Sequence, residues 1–122
     1  MGELFGRERV GLLTGDNVVR PDAPVVVMTT EVLRNMIYAA SPSLDRLGVV
    51  VLDEIHYLMD PYRGPVWEEV IVQLDPAVQL LCLSATVSNG DEIAGWLDAV
   101  RGRAEVVVES TRPVALRNRL LL

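Results

Sequence analysis

The stretch Val49-Val50-Val51-Leu52-Asp53-Glu54-Ile55-His56 decides how this chain is read: four apolar residues, three of them β-branched, run into two carboxylates and the chain's one histidine. An uninterrupted run of this kind predicts a strand buried on both faces, as in a parallel sheet covered by helices. In open α/β sheets ligands bind outside the carboxyl ends of the strands, so Asp53 and Glu54 stand where a site is expected. Adjacent acids in different surroundings divide the work there, one holding a divalent metal while the other orients or deprotonates a water. Taken alone, the two acids read equally well as a solvated loop after a strand.

Two further apolar runs end in the same way. Pro24-Val25-Val26-Val27-Met28 leads into Thr29-Thr30-Glu31, and Val78-Gln79-Leu80-Leu81-Cys82-Leu83 leads into Ser84-Ala85-Thr86. If the three strands run parallel, all three polar groups lie along one edge of one sheet. The expected fold class is α/β, a mostly parallel sheet flanked by helices.

The totals agree with that class. The chain has 122 residues, half of them apolar and 5% aromatic, which predicts one domain with an aliphatic core. Its single cysteine, Cys82, sits inside an apolar run and reads as a reduced core thiol, which points to an intracellular, cytoplasmic setting. Mid-strand, with no histidine near it except His56, it is a poor candidate for a nucleophile. The apolar runs are too short to span a bilayer, Met1-Gly2-Glu3 opens no signal peptide, and no myristoylation pattern follows, so no membrane partner is expected. A formal charge of −6 argues against a broad basic surface for nucleic acid. It leaves room for a strand gripped by backbone amides and helix ends, which bind phosphate without formal charge. All eleven basic residues are arginine; there is no lysine.

In order along the chain, residues 4–10 read as the tail of a helix, 11–16 as a short strand closed by a Gly-Asp turn, and 17–23 as a loop. A helix is predicted over 31–39 with Thr29 or Thr30 as its N-cap; Val32, Leu33, Met36 and Ile37 form its apolar face, and Arg34 and Asn35 fall off it. Residues 41–43 break it, and 57–65 form a loop. A second helix over 66–74 gathers Trp67, Val70, Ile71 and Leu74 on one side, with Glu68 outward and Glu69 at the margin. Ser88 and Asp91 form a near capping box for a third helix with Ile93, Trp96, Leu97 and Val100 at helical spacing. On these stripes Trp67 and Trp96 read as core and not as base-stacking platforms. Residues 105–108 predict a further strand. The end, residues 111–114 and then 116–122, reads as extended and stops on an apolar run with no polar tail, as in a chain cut within a larger protein. Arg63 and Arg112 are candidates for ion pairs with Asp60 or Glu109.

Asp53-Glu54-Ile55-His56 followed by Ser84-Ala85-Thr86 resembles motifs II and III of a DExH-box superfamily 2 helicase. The neighbouring residues are similar to the Ski2-like group: Thr14-Gly15-Asp16, Thr29-Thr30-Glu31-Val32-Leu33-Arg34-Asn35, Asp60 with Arg63-Gly64 and Trp67-Glu68-Glu69, Trp96-Leu97, and Thr111-Arg112-Pro113-Val114. The resemblance covers essentially the whole chain and implies that 1–122 is the latter part of the first RecA-like, ATP-binding domain. It implies that Asp53 holds the Mg²⁺ of ATP through water with Glu54 beside it, and that Glu54 positions and activates the attacking water. His56, Ser84, Ala85 and Thr86 would couple the nucleotide to strand movement. Thr29, Thr30 and Arg34 resemble the motif that grips the nucleic-acid backbone, and Thr14, Gly15 and Asp16 match a neighbouring one.

One part of the pattern is missing. A helicase of this family needs a G-x-x-x-x-G-K-[ST] loop whose lysine reaches the β and γ phosphates. A chain without lysine has no Walker A motif, and the strand that carries it is absent too, which leaves the strand over 78–83 short of a neighbour. The second RecA-like domain is absent as well, so the remainder of the helicase core is an implied partner. The resemblance thus implies an ATP-dependent helicase acting on RNA, with DNA as the alternative, of which this piece alone is inactive. Two other readings stand beside it: a non-catalytic remnant or interaction module, and a metal-dependent hydrolase using Asp53, Glu54 and His56 directly.

Overall fold

The computed structural model describes residues 2–85, 88–111 and 113–114; Thr86, Arg112 and the end 116–122 lie outside the described residues. The chain divides into two compact units, Met1–Asn89 and Gly90–Leu122. The first contains α1 (Gly2–Phe5), a 3-10 turn Arg7–Arg9, β1 (Val10–Leu13), β2 (Val18–Val19), β3 (Val25–Met28), α2 (Thr30–Tyr38), a 3-10 turn Pro42–Leu44, β4 (Val49–Leu52), a 3-10 turn Ile55–Met59, α3 (Gly64–Gln73) and β5 (Gln79–Cys82). The second contains α4 (Gly90–Arg101). This is the α/β class expected, with parallel strands, and it is consistent with part of a RecA-like domain.

The strands pair differently from the expectation of a single sheet. β1 lies parallel to β3, with Val10 opposite Val25 and Leu13 opposite Met28, while β2 returns antiparallel on the other side of β1. β4 lies parallel to β5, with Val49 opposite Gln79 and Leu52 opposite Cys82. Among the described residues no ladder joins β3 to β4. A hydrophobic run encodes burial, and leaves open which neighbour a strand takes. β2 itself falls in the segment expected as a loop: the Thr14 N–H donates to the Asn17 carbonyl (2.9 Å) and the Asn17 N–H to Thr14 Oγ1 (3.1 Å), closing a tight hairpin.

The core gathers Leu33, Val50, Leu52, Ile55, Trp67, Val70, Ile71, Leu74 and Val78, with α3 packed against α2 and against the turn Ile55–Met59. Val70 and Ile71 are fully enclosed, each contributing roughly 1.5–3 kcal/mol of burial. Gly64 makes this approach possible. Its N–H donates to the Asp60 carbonyl (2.8 Å), and an added Cβ would collide with the Leu58 carbonyl oxygen. α3 starts at Gly64, two residues earlier than the helix expected from residue 66.

Burial on both faces of β4 is not what the structure has. Val50 and Leu52 are buried, but Val49 and Val51 are 53% and 54% exposed, and Leu81 and Leu83 of the neighbouring strand are exposed too. α3 packs against the turn Ile55–Met59 that follows β4, while nothing described in this unit covers the face of Val49 and Val51. In the second unit α4 begins at Gly90, so Ser88 lies two residues ahead of it and the capping box does not form. Ile93 is buried, Trp96 and Leu97 half-buried. Residues 105–108, expected as a strand, are irregular, with Val107 87% exposed. A β-branched run becomes a strand only against a partner ladder, and none is described for it.

Candidate active site and strand grip

Two backbone hydrogen bonds build the first half of the site. The Leu83 N–H donates to the Leu52 carbonyl, and the Ile55 N–H donates to the Leu83 carbonyl, both at 2.9 Å. They clasp the exits of β4 and β5 together, so that Asp53-Glu54 and Ser84-Ala85 emerge side by side. Buried Ile55 anchors the far end of the acidic pair. Between these fixed points Glu54 adopts a left-handed conformation (φ 58°, ψ 46°), and its N–H donates to Asp53 Oδ1 (2.9 Å). For a residue with a Cβ this conformation costs about 1–2 kcal/mol. The side chains of Asp53 and Glu54 are left exposed.

His56 follows on the 3-10 turn. Its Nδ1 lies 3.1 Å from Glu54 Oε2, within ion-pair range but out of line for a hydrogen bond, so this buried nitrogen has no hydrogen-bond partner. The ring lies in a chain of tilted ring contacts: His56 to Tyr57 at 4.6 Å, Tyr57 to Trp67 at 6.1 Å, and the Arg63 guanidinium 4.6 Å above the Tyr57 ring. Arg63 therefore meets an aromatic face, where an ion pair with Asp60 was expected. Asp60 Oδ1 accepts instead from the backbone N–H groups of Arg63 (2.9 Å) and Tyr62 (2.8 Å), and these bonds hold its carboxyl below the usual range. The Tyr57–Arg63 contact was not foreseen; an aromatic and an arginine six positions apart in an assumed loop carry no periodic signal.

The candidate strand grip lies on the other sheet. Leu13 pairs with Met28, so Thr14 and Thr29 follow at the same edge, and the turn Thr14-Gly15-Asp16 stands beside the start of α2. Thr29 occupies the N-cap position without a side-chain capping bond, and Thr30 is the first helical residue. Arg34, one turn on, places Nη1 3.9 Å from Glu69 Oε2 on α3. The two halves of the site are thus linked through α2, α3 and the Ile55–Met59 turn, and not by a shared sheet edge.

Cys82 is free, and burial pushes its thiol up to about 11, which agrees with a core role. Among the described residues no three His, Cys, Asp or Glu side chains converge to hold a metal ion. Two exposed carboxylates are nevertheless the donor set that Mg²⁺ uses when waters and nucleotide phosphates complete its shell. No helix among the described residues is long and apolar enough to cross a membrane.

Residues 8–93 match the DEAD/DEAH box helicase family. The chain is 58% identical over 118 residues to the probable helicase HelY of Mycobacterium tuberculosis, covering 97% of this chain and 13% of that protein. It is 49% identical over 120 residues to the chloroplastic DExH-box ATP-dependent RNA helicase DExH15 of Arabidopsis thaliana (93% and 10% covered). With Superkiller complex protein 2 of Homo sapiens it shares 46% identity over 112 residues (91% and 9% covered). The chain spans about a tenth of the length of these curated relatives.

Proposed function

Because this chain belongs to the DEAD/DEAH box helicase family, with Ski2-like DExH-box helicases as its relatives, we propose that it supplies the catalytic carboxylates and part of the strand grip of an ATP-dependent helicase acting on RNA. The observation that carries the reading is the clasp of Leu52, Leu83 and Ile55, which sets Asp53-Glu54 beside Ser84-Ala85. Asp53 would hold Mg²⁺ through water with Glu54 beside it, and Glu54 would orient and deprotonate the attacking water. When bound, Mg-ATP supplies an in-line phosphoryl group whose charge the metal neutralises. His56, Ser84, Ala85 and Thr86 would relay the state of that site, and Thr14, Gly15, Asp16, Thr29, Thr30 and Arg34 would contact the nucleic-acid backbone. RNA is preferred over DNA because two of the relatives are named RNA helicases.

On this reading 1–122 is the latter part of a first RecA-like domain, working inside the cell with a lysine-bearing phosphate loop and a second RecA-like domain supplied by further sequence. The test is ATP hydrolysis by the parent protein, with single-stranded RNA or DNA as stimulant. Glu54→Gln is expected to lower kcat by about 10²–10⁴-fold while Mg-ATP still binds. Hydrolysis that survives Glu54→Gln overturns the assignment, and equal stimulation by DNA removes the RNA preference.

A further inference from the structure

Arg34 does not stand alone on α2. Its guanidinium is 3.9 Å from the Glu69 carboxylate of α3, with side chains 30% and 44% exposed, and Tyr38, one turn further along α2, lies near enough to the same carboxylate for Glu69 to push its ionisation up. The packing of α2 on α3 brings the three together. We propose that Glu69 is a positioning residue that holds Arg34 in reserve: a phosphate of the bound strand must displace the carboxylate to gain the guanidinium. The inference rests on the reading of Arg34 as a backbone contact.

The geometry supports an exchangeable pair. At 3.9 Å and half in solvent it is a loose contact, of the class worth well under a buried ion pair. A guanidinium released from it can take a phosphate bidentately, a stronger arrangement than this single long contact. The Glu69 side chain is 44% exposed, so water takes up the carboxylate when the pair opens and no bare charge is left. On a chain of net charge −6, a restrained arginine also limits indiscriminate adhesion to polyanions.

The experiment is a double-mutant cycle read by fluorescence anisotropy with a labelled oligouridylate, across a series of salt concentrations, on the parent protein. Arg34→Ala should weaken binding. Glu69→Gln should tighten it about two- to fivefold and leave the salt slope near that of the unaltered chain, because the same cations meet phosphate once the strand is bound. In the Arg34→Ala background Glu69→Gln should change nothing. A gain that persists there shows direct repulsion between Glu69 and the strand, and a loss in both backgrounds shows a structural role; either overturns the proposal. If Arg34→Ala itself leaves affinity unchanged, the failure lies with Arg34 as a contact, and the proposal falls with it.

Discussion

Two acids in this chain show opposite uses of a carboxylate at the residue scale. Glu54 is held left-handed with its side chain out, a conformation tolerated because Ile55 is buried behind it and Asp53 accepts its N–H. Asp60 turns inward on its own loop and takes the N–H groups of Tyr62 and Arg63. A folded-state pKa held low means a contribution present above the unfolded value near 3.8 and lost as pH falls through the lower folded one. Asp60→Asn should therefore flatten the fall of the melting temperature between about pH 5 and pH 2. Calorimetric scans of both proteins across that range check it, and parallel curves would mean that the loop does not depend on the charge.

At the scale of elements, α3 organises the first unit. Its inner stripe of Trp67, Val70, Ile71 and Leu74 fills the core, and its start is set by Gly64 against the Leu58 carbonyl. That contact ties the helix to the turn Ile55–Met59, which carries His56. Gly64→Ala should cost about 1–3 kcal/mol, because backbone has to give where the methyl enters. Urea denaturation measures the loss; an unchanged midpoint would show that the turn shifts freely, and with it His56. The helical stripes of α2 and α3 were legible because they repeat at 3.6 residues. The two-residue β2 is shorter than any period, and the run at 105–108 looks like a strand for a reason that only a neighbour can satisfy.

For the whole chain, two absences govern what it can do unaided. It has no lysine, and among the described residues of its first unit nothing covers the apolar face of Val49, Val51, Leu81 and Leu83. The first removes the group that would bind the β and γ phosphates. Isothermal calorimetry of the isolated chain with Mg-ATP should accordingly show no micromolar binding, and a micromolar Kd would mean that another group cradles the phosphates. The second is the kind of surface that marks contact with further protein.

The local chemistry was readable from the amino acids: the acidic pair after a β-branched run, the Ser-Ala pair after the third run, and the apolar stripes all depend on residue order and side-chain type. Only the tertiary structure decided which strand lies beside which, that β4 is covered on one face, that Arg63 meets Tyr57, and that Arg34 meets Glu69. Those are distances between residues far apart in sequence. Such distances are set by packing, in which Val70 and Ile71 have no exposed surface left and their neighbours must take the positions that remain.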